Sequence, residues 1–221
     1  MSQSPFIKLT VFSTILSSIY FYNPTPYTKI FSIVGLIFFS LNEQECTCSI
    51  IQSNRISIRT ALLFSAFGDI LLEINQDEKS FFIFGLISFL IAHLFYIKAF
   101  YAPYENLPLS IKGLILGFYF LMMQNLLPYA DNELTFPIII YGAVISYMVS
   151  CTISRLYDGS YSSDSKYFAL IGAILFAVSD SILALDKFKS PIPDAKKWIM
   201  ITYYSAQTLF LISSDYEILN R

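Results

Sequence analysis

Leu62-Leu63-Phe64-Ser65-Ala66-Phe67-Gly68-Asp69-Ile70-Leu71-Leu72 sets an aspartate inside an apolar run. Ile174-Leu175-Phe176-Ala177-Val178-Ser179-Asp180-Ser181-Ile182-Leu183-Ala184-Leu185 does so again. A carboxylate in a membrane-buried helix costs several kcal/mol or keeps its proton. Residues of this kind are rarely placed for stability. Two of them, in two similar helices, point to a polar site inside an all-α membrane bundle.

Composition supports the membrane setting. Of 221 residues, 55% are hydrophobic and 14% charged, against about 25% charged in soluble domains. The mean hydropathy is +0.58. The length fits one integral-membrane domain over 1–221 without a separate soluble unit. A net charge of −2 carries no nucleic-acid signature. Cys46, Cys48 and Cys151 are too few for a disulfide framework. Cys46-x-Cys48 has metal-ligand character, but a tetrahedral site needs four ligands and the chain has one histidine, so no metal is expected. Met1 to Thr10 holds a single lysine and runs into apolar sequence without a small-residue cleavage site, which reads as a retained first span.

Eight apolar segments follow, near 6–22, 28–41, 58–74, 80–101, 111–127, 136–153, 167–185 and 196–213. About 20 residues cross a bilayer, and lipid-facing backbone must be satisfied within each helix. Breaks are expected at Asn23 to Pro26, Asn42 to Asn54, Asn75 to Lys79, Pro103 to Pro108, Pro128 to Pro137, Tyr157 to Ser165 and Asp186 to Asp194. Eight spans put both termini on one side. Lys8, Arg55, Arg59, Lys98, Lys112, Arg155, Lys166 and Arg221 then face Lys29, Lys79, Lys187, Lys189, Lys196 and Lys197 across the membrane. That small excess favours cytosolic termini.

Asp69 and Asp180 are 111 residues apart, and the same shift sets His93 on Tyr204 and Tyr96 on Gln207. The pattern reads as two four-helix halves, 1–105 and 106–221, in parallel orientation; the competing view is that apolar helices always look alike. Each half then offers an aspartate on one helix and a polar i,i+3 pair on the next, His93/Tyr96 and Tyr204/Gln207, each pair on one helix face. These six groups are expected to converge on one cavity. Tyr141, Ser179 and Tyr203 are candidate supporting residues. Alternatively, Tyr141, Tyr203 and Tyr204 belong to an interfacial aromatic belt, and Ser179 bonds a backbone carbonyl. Glu73, near a helix end, reads as an interfacial acid. A lone His93 on an apolar helix is in general more often structural than catalytic.

Several motifs are absent. There is no Gly-x-Ser-x-Gly elbow, His-Glu-x-x-His pair or Gly-rich phosphate loop. One histidine cannot supply the multi-histidine zinc site of alkaline-ceramidase-like membrane hydrolases. Ala66-Phe67-Gly68-Asp69 lacks the first glycine of the Gly-x-Gly-Asp motif of intramembrane aspartyl proteases.

Gly68-Asp69-Ile70-Leu71-Leu72, Gly85 with Phe89, Ala92-His93-Leu94-Phe95-Tyr96, Gly172 to Ser181, and Tyr203-Tyr204 with Gln207 recur in an order and spacing that resembles the YhhN-like lysoplasmalogenase family. The likeness covers the chain from about residue 60 onward. It implies an eight-helix membrane hydrolase that needs no cofactor. The implied substrates are lysoplasmalogens, vinyl-ether glycerophospholipids with one chain already removed. Products would be a fatty aldehyde and glycerophosphoethanolamine or glycerophosphocholine. Its setting would be the endoplasmic reticulum in a eukaryote or the inner membrane in a bacterium.

Two acids suit that chemistry. Protonating the terminal alkene carbon of a vinyl ether leaves an oxocarbenium ion, as in glycoside hydrolysis. One aspartate must hold a proton near neutral pH, and the other is expected to be ionised; sequence does not say which is which. The alternative is a transporter or lipid-binding bundle with a proton-coupled acid pair, since intramembrane acids also mark proton relays.

Overall fold

The structure is a computed structural model that describes residues 5–23, 25–41, 49–74, 79–102 and 107–215. Cys46 and Cys48 lie outside the described residues. Among the described residues there are eight α-helices: α1 (Pro5–Tyr22), α2 (Pro26–Leu41), α3 (Ser49–Ile74), α4 (Lys79–Phe100), α5 (Leu109–Leu126), α6 (Asn132–Leu156), α7 (Ser163–Ala184) and α8 (Ala195–Asp215). A 3₁₀ turn, Leu127–Tyr129, ends α5, and a π turn, Leu185–Lys189, ends α7.

By length and composition, α4, α5 with its 3₁₀ turn, α6, and α7 with its π turn are apolar enough to cross a membrane. The chain is accordingly an integral membrane protein. The apolar parts of α1 and α2 are shorter. The 26 residues of α3 are interrupted by Arg55, Arg59, Asp69 and Glu73.

Boundaries follow the apolar runs, with two corrections. The stretch Asn42 to Asn54 is not a break to its end, because α3 already begins at Ser49. Gln52, Ser53 and Asn54 are compatible with a helix whose first turns precede its apolar part. Pro137 does not delay α6 either. It sits in the second turn of the helix, where it forfeits only the bond to the Glu133 carbonyl. At the start of α7, the Ser162 side chain accepts from the Ser165 backbone N–H at 3.1 Å, which satisfies one orphan donor.

Helices α3 and α4 pair along their length, and so do α7 and α8. Helix α2 packs on α1, α3 and α8, while α6 packs on α4, α5 and α7. Association inside a bilayer depends on close packing and interhelical hydrogen bonds rather than on water exclusion. Gly68 supplies the closest approach of α3 to α4: a Cβ there would stand 2.6 Å from the Phe89 ring. Ser88 Oγ ties the same pair by donating to the Phe64 carbonyl at 2.7 Å. The centre is aromatic, with the Tyr96 and Phe210 rings 4.4 Å apart and those of Phe100 and Phe210 5.0 Å apart.

Two cations assigned to loops in the charge count are inside the bundle. Lys29 is buried in α2, and Arg155 is fully buried in α6. The Arg155 guanidinium donates to the Ala99 carbonyl and to Ser165 Oγ, and it stacks 3.7 Å from the Tyr161 ring. Neither residue reports on membrane sidedness.

Candidate active site

Asp180 projects from α7 next to two side chains from other helices. The Tyr141 hydroxyl of α6 donates to Asp180 Oδ2 at 2.6 Å. His93 Nε2 of α4 lies 3.8 Å from the same oxygen. The other ring nitrogen, Nδ1, is 2.6 Å from the Phe89 carbonyl. A carbonyl oxygen only accepts, so Nδ1 carries the proton and Nε2 of the neutral ring presents a lone pair. No hydrogen bond reaches Nε2. His93 is fully enclosed by the rings of Phe176, at 4.7 Å, and Tyr141, at 5.3 Å.

Asp69 lies in a different chemical setting. Lys29 Nζ is 3.0 Å from Oδ1, and the Tyr203 hydroxyl donates to Oδ2 at 2.9 Å. Glu73, one helical turn further along α3, takes the same ammonium at 3.3 Å. Lys196 stands 3.7 Å from Glu73 at the exposed edge of the cluster. A buried carboxylate needs a counter-charge and hydrogen bonds to remain ionised at tolerable cost, and Asp69 has both. The inward group is therefore two acids with one buried ammonium.

A narrow apolar cavity of about 90 Å³ opens between α4, α5, α6 and α7. Its wall includes Phe89, Met122, Met123, Ile145, Tyr141 and Asp180. Among the described residues, Asp180 is the one acidic or basic side chain on that wall. Asp69 is not on it, although Leu72 of the same helix is.

The expected residues thus form adjoining groups rather than a single ring around one void. Asp180, His93 and Tyr141 make the group at the cavity. Asp69 and Tyr203 make the second, completed by Lys29 and Glu73. The Phe176 ring stands between them, 4.7 Å from His93 and 5.5 Å from Tyr203. Tyr96 and Gln207 are buried behind both groups, the Tyr96 hydroxyl donating to Gln207 Oε1. Ser179 Oγ donates to the Ile199 carbonyl at 3.1 Å and ties α7 to α8. The Tyr204 hydroxyl donates to the Lys29 carbonyl at 3.2 Å, which anchors α2 rather than reaching Asp180.

Sequence reasoning missed Lys29 and undervalued Glu73. A signal was present: Lys29 is the single cation of α2, and Glu73 follows Asp69 at i+4. Two acids on one helix face call for an inward cation.

Comparison with known proteins fits this geometry. The sequence signature of the YhhN family matches residues 25–214. The chain is similar to lysoplasmalogenase TMEM86A of Bos taurus, 35% identical over 158 residues, covering 71% of this chain and 64% of that protein. Lysoplasmalogenase TMEM86B of Homo sapiens is 34% identical over 159 residues, covering 71% and 62%. Lysoplasmalogenase of Mycobacterium bovis is 32% identical over 136 residues, covering 58% and 48%. The chain spans less than two thirds of the length of these curated relatives. No solved structure matches it.

Proposed function

The chain belongs to the YhhN family, and on that premise we propose that it is a membrane hydrolase that cleaves the vinyl ether bond of lysoplasmalogens, with Asp180 as the acid. The observation that carries this reading is the lone carboxyl on the wall of an apolar cavity, backed by a histidine and a tyrosine. The names of the relatives support the substrate class.

In this mechanism the alkenyl chain lies in the cavity with its vinyl ether against Asp180. Tyr141 occupies Oδ2, which leaves Oδ1 to carry the proton. Transfer of that proton to the terminal alkene carbon consumes the double bond and leaves an oxocarbenium ion. The Asp180 carboxylate then takes a proton from the attacking water, and the hemiacetal collapses to the aldehyde and the glycerol hydroxyl. One water is consumed and the carboxyl ends protonated as it began. General acid–base catalysis of this kind contributes about 10²–10⁴-fold.

Asp69 takes the other role. Lys29 holds it ionised, while Glu73 also has Lys196 at the edge of the cluster. The Asp69 group is separated from the Asp180 group by the Phe176 ring, and its negative charge favours the cation that forms. His93 Nε2 faces Oδ2 of the acid at 3.8 Å and helps to position it.

The architecture we infer is eight spans in two parallel halves. Helix pairs α2/α3, α3/α4 in the first half recur as α6/α7, α7/α8 in the second, each acid sitting at the equivalent place.

Purified protein in detergent micelles, supplied with an alkenyl lysophosphatidylethanolamine, should release fatty aldehyde. A transporter has no compartments to connect in a micelle and makes none. Absence of aldehyde from folded, lipid-binding protein rejects the hydrolase reading.

A further inference from the structure

The cavity has a charged mouth. Phe82 and Phe188 belong both to its wall and to a neighbouring recess lined by Lys79, Tyr129, Asp131, Leu134 and Lys187. Charge in this recess is divided into two poles. Lys79 Nζ lies 2.9 Å from Asp131 Oδ2 and 2.7 Å from Glu133 Oε2, so two acids surround one ammonium and one negative charge is left over. Lys187 forms the opposite pole. Its ammonium stands 5.4 Å from the centre of the Phe82 ring and, among the described residues, has no carboxylate partner.

We propose that this mouth is the headgroup subsite for a zwitterionic lysophospholipid, with Lys187 taking the phosphate and the Asp131–Glu133 pole taking the quaternary or primary ammonium. The proposal rests on the vinyl ether reading and extends it to the polar end of the substrate. A neutral glycerol ether would leave both poles unused, whereas phosphoethanolamine and phosphocholine match them in sign and in number.

Spacing supports the assignment. Lys187 follows Asp180 by seven residues, roughly 10 Å along the helix at about 1.5 Å per residue. In the substrate, seven bonds separate the terminal alkene carbon from phosphorus. At about 1.5 Å per bond and with tetrahedral zigzag, that chain spans roughly 9 Å. A headgroup at Lys187 therefore sets the alkene carbon beside Asp180, and the remaining hydrocarbon continues along the apolar wall that includes Ile145 and Phe118. Exposed ion pairs such as those of Lys79 stabilise a fold little, so the arrangement is not explained by stability.

The test uses full-length protein in nanodiscs and four uncleavable probes: 1-O-hexadecyl-lysophosphocholine, the same ether with a bare phosphate headgroup, 1-O-hexadecylglycerol and free phosphocholine. Wild type should bind the phosphocholine ether at least tenfold more tightly than the alkylglycerol, and free phosphocholine should compete only weakly. Lys187→Gln, an exposed substitution that the fold tolerates, should remove about tenfold of that preference and leave alkylglycerol affinity unchanged. Asp131→Asn combined with Glu133→Gln should abolish discrimination between phosphocholine and a bare phosphate headgroup on the same chain. Equal wild-type affinity for the two ethers overturns the proposal, as does an unchanged preference in Lys187→Gln. Competition by free phosphocholine as effective as that by the lipid overturns it as well, in favour of a soluble phosphoester site. Aldehyde release is measured in parallel. Loss of headgroup preference in Lys187→Gln without any wild-type aldehyde upholds the subsite and rejects the hydrolase reading. Aldehyde release with no headgroup preference does the reverse.

Discussion

Tyr96 and Gln207, 111 residues apart, hydrogen-bond to each other in the buried centre of the bundle. They are also the pair that a 111-residue shift superposes in sequence. Equivalent residues of two halves meet each other only beside the axis that relates the halves. The contact thus supports a two-fold axis running between α4 and α8. Around it, each acid is approached by the last helix of the other half: Asp180 by His93 of α4, and Asp69 by Tyr203 of α8. The third partners differ. Lys29 of α2 attends Asp69, and Tyr141 of α6, within one residue of the equivalent position, attends Asp180. The two aspartates thus differ in their third partner, a buried ammonium for Asp69 and a phenol for Asp180.

Asp180→Asn should fold and insert but lose aldehyde release by about 10²–10⁴-fold, the value of a general acid. The amide keeps the shape and the bond from Tyr141 while removing the transferable proton. Near-wild-type turnover in a variant whose thermal unfolding is unchanged would take Asp180 out of the mechanism. Asp69→Asn should cost less, about 10²–10³-fold, because it acts through charge and not through contact with the alkene.

Lys29→Met should be strongly destabilising, by about 3–5 kcal/mol, because it leaves the buried Asp69 without its cation. Combining it with Asp69→Asn should restore part of the loss, since the stranded charge is then removed. Thermal unfolding of the two single variants and the double gives the coupling directly. Strict additivity would mean that the 3.0 Å contact carries no interaction energy.

Much of this arrangement was legible in the chain. Asp69, Asp180, His93, Tyr96 and Gln207 stand out because polar groups at mid-span need partners. The 111-residue register placed six polar groups around one cavity, whereas they lie in adjoining groups and Tyr204 bonds the Lys29 carbonyl instead. Lys29 was not legible as a buried residue, since a lysine four positions into an apolar run has the same appearance as one that snorkels to the interface. Arg155 misled for the same reason. The cavity was hidden too: nothing in the sequence singles out Met122 and Met123 of α5, and only the placement of α5 against α6 makes them a wall. Ser179 and Tyr204 lie in the motif but bond backbone carbonyls, which sequence does not distinguish from a carboxylate partner.

Gly68→Ala should destabilise by about 1–3 kcal/mol, the usual cost of overpacking, because the new Cβ would meet the Phe89 ring at 2.6 Å. It should also lower activity, since the Phe89 carbonyl orients His93. Gly117→Ala is the control: a Cβ at that position meets nothing within 4 Å, and neither stability nor turnover should fall. Equal behaviour of the two variants in an unfolding and aldehyde assay would mean that the α3–α4 contact is looser than its geometry implies.

His93→Gln should lower turnover by about tenfold, well short of the Asp180→Asn loss. The imidazole presents a lone pair 3.8 Å from Asp180 Oδ2, so it positions the acid without reaching the alkene. Glutamine keeps a polar group there but cannot hold Nδ1–H on the Phe89 carbonyl and an acceptor on Asp180 in one rigid plane. The cost should fall mainly on kcat, with KM nearly unchanged, because His93 is not on the cavity wall. An inactive His93→Gln beside an active Asp180→Asn would transfer the acid role to the histidine and discard the carboxyl mechanism.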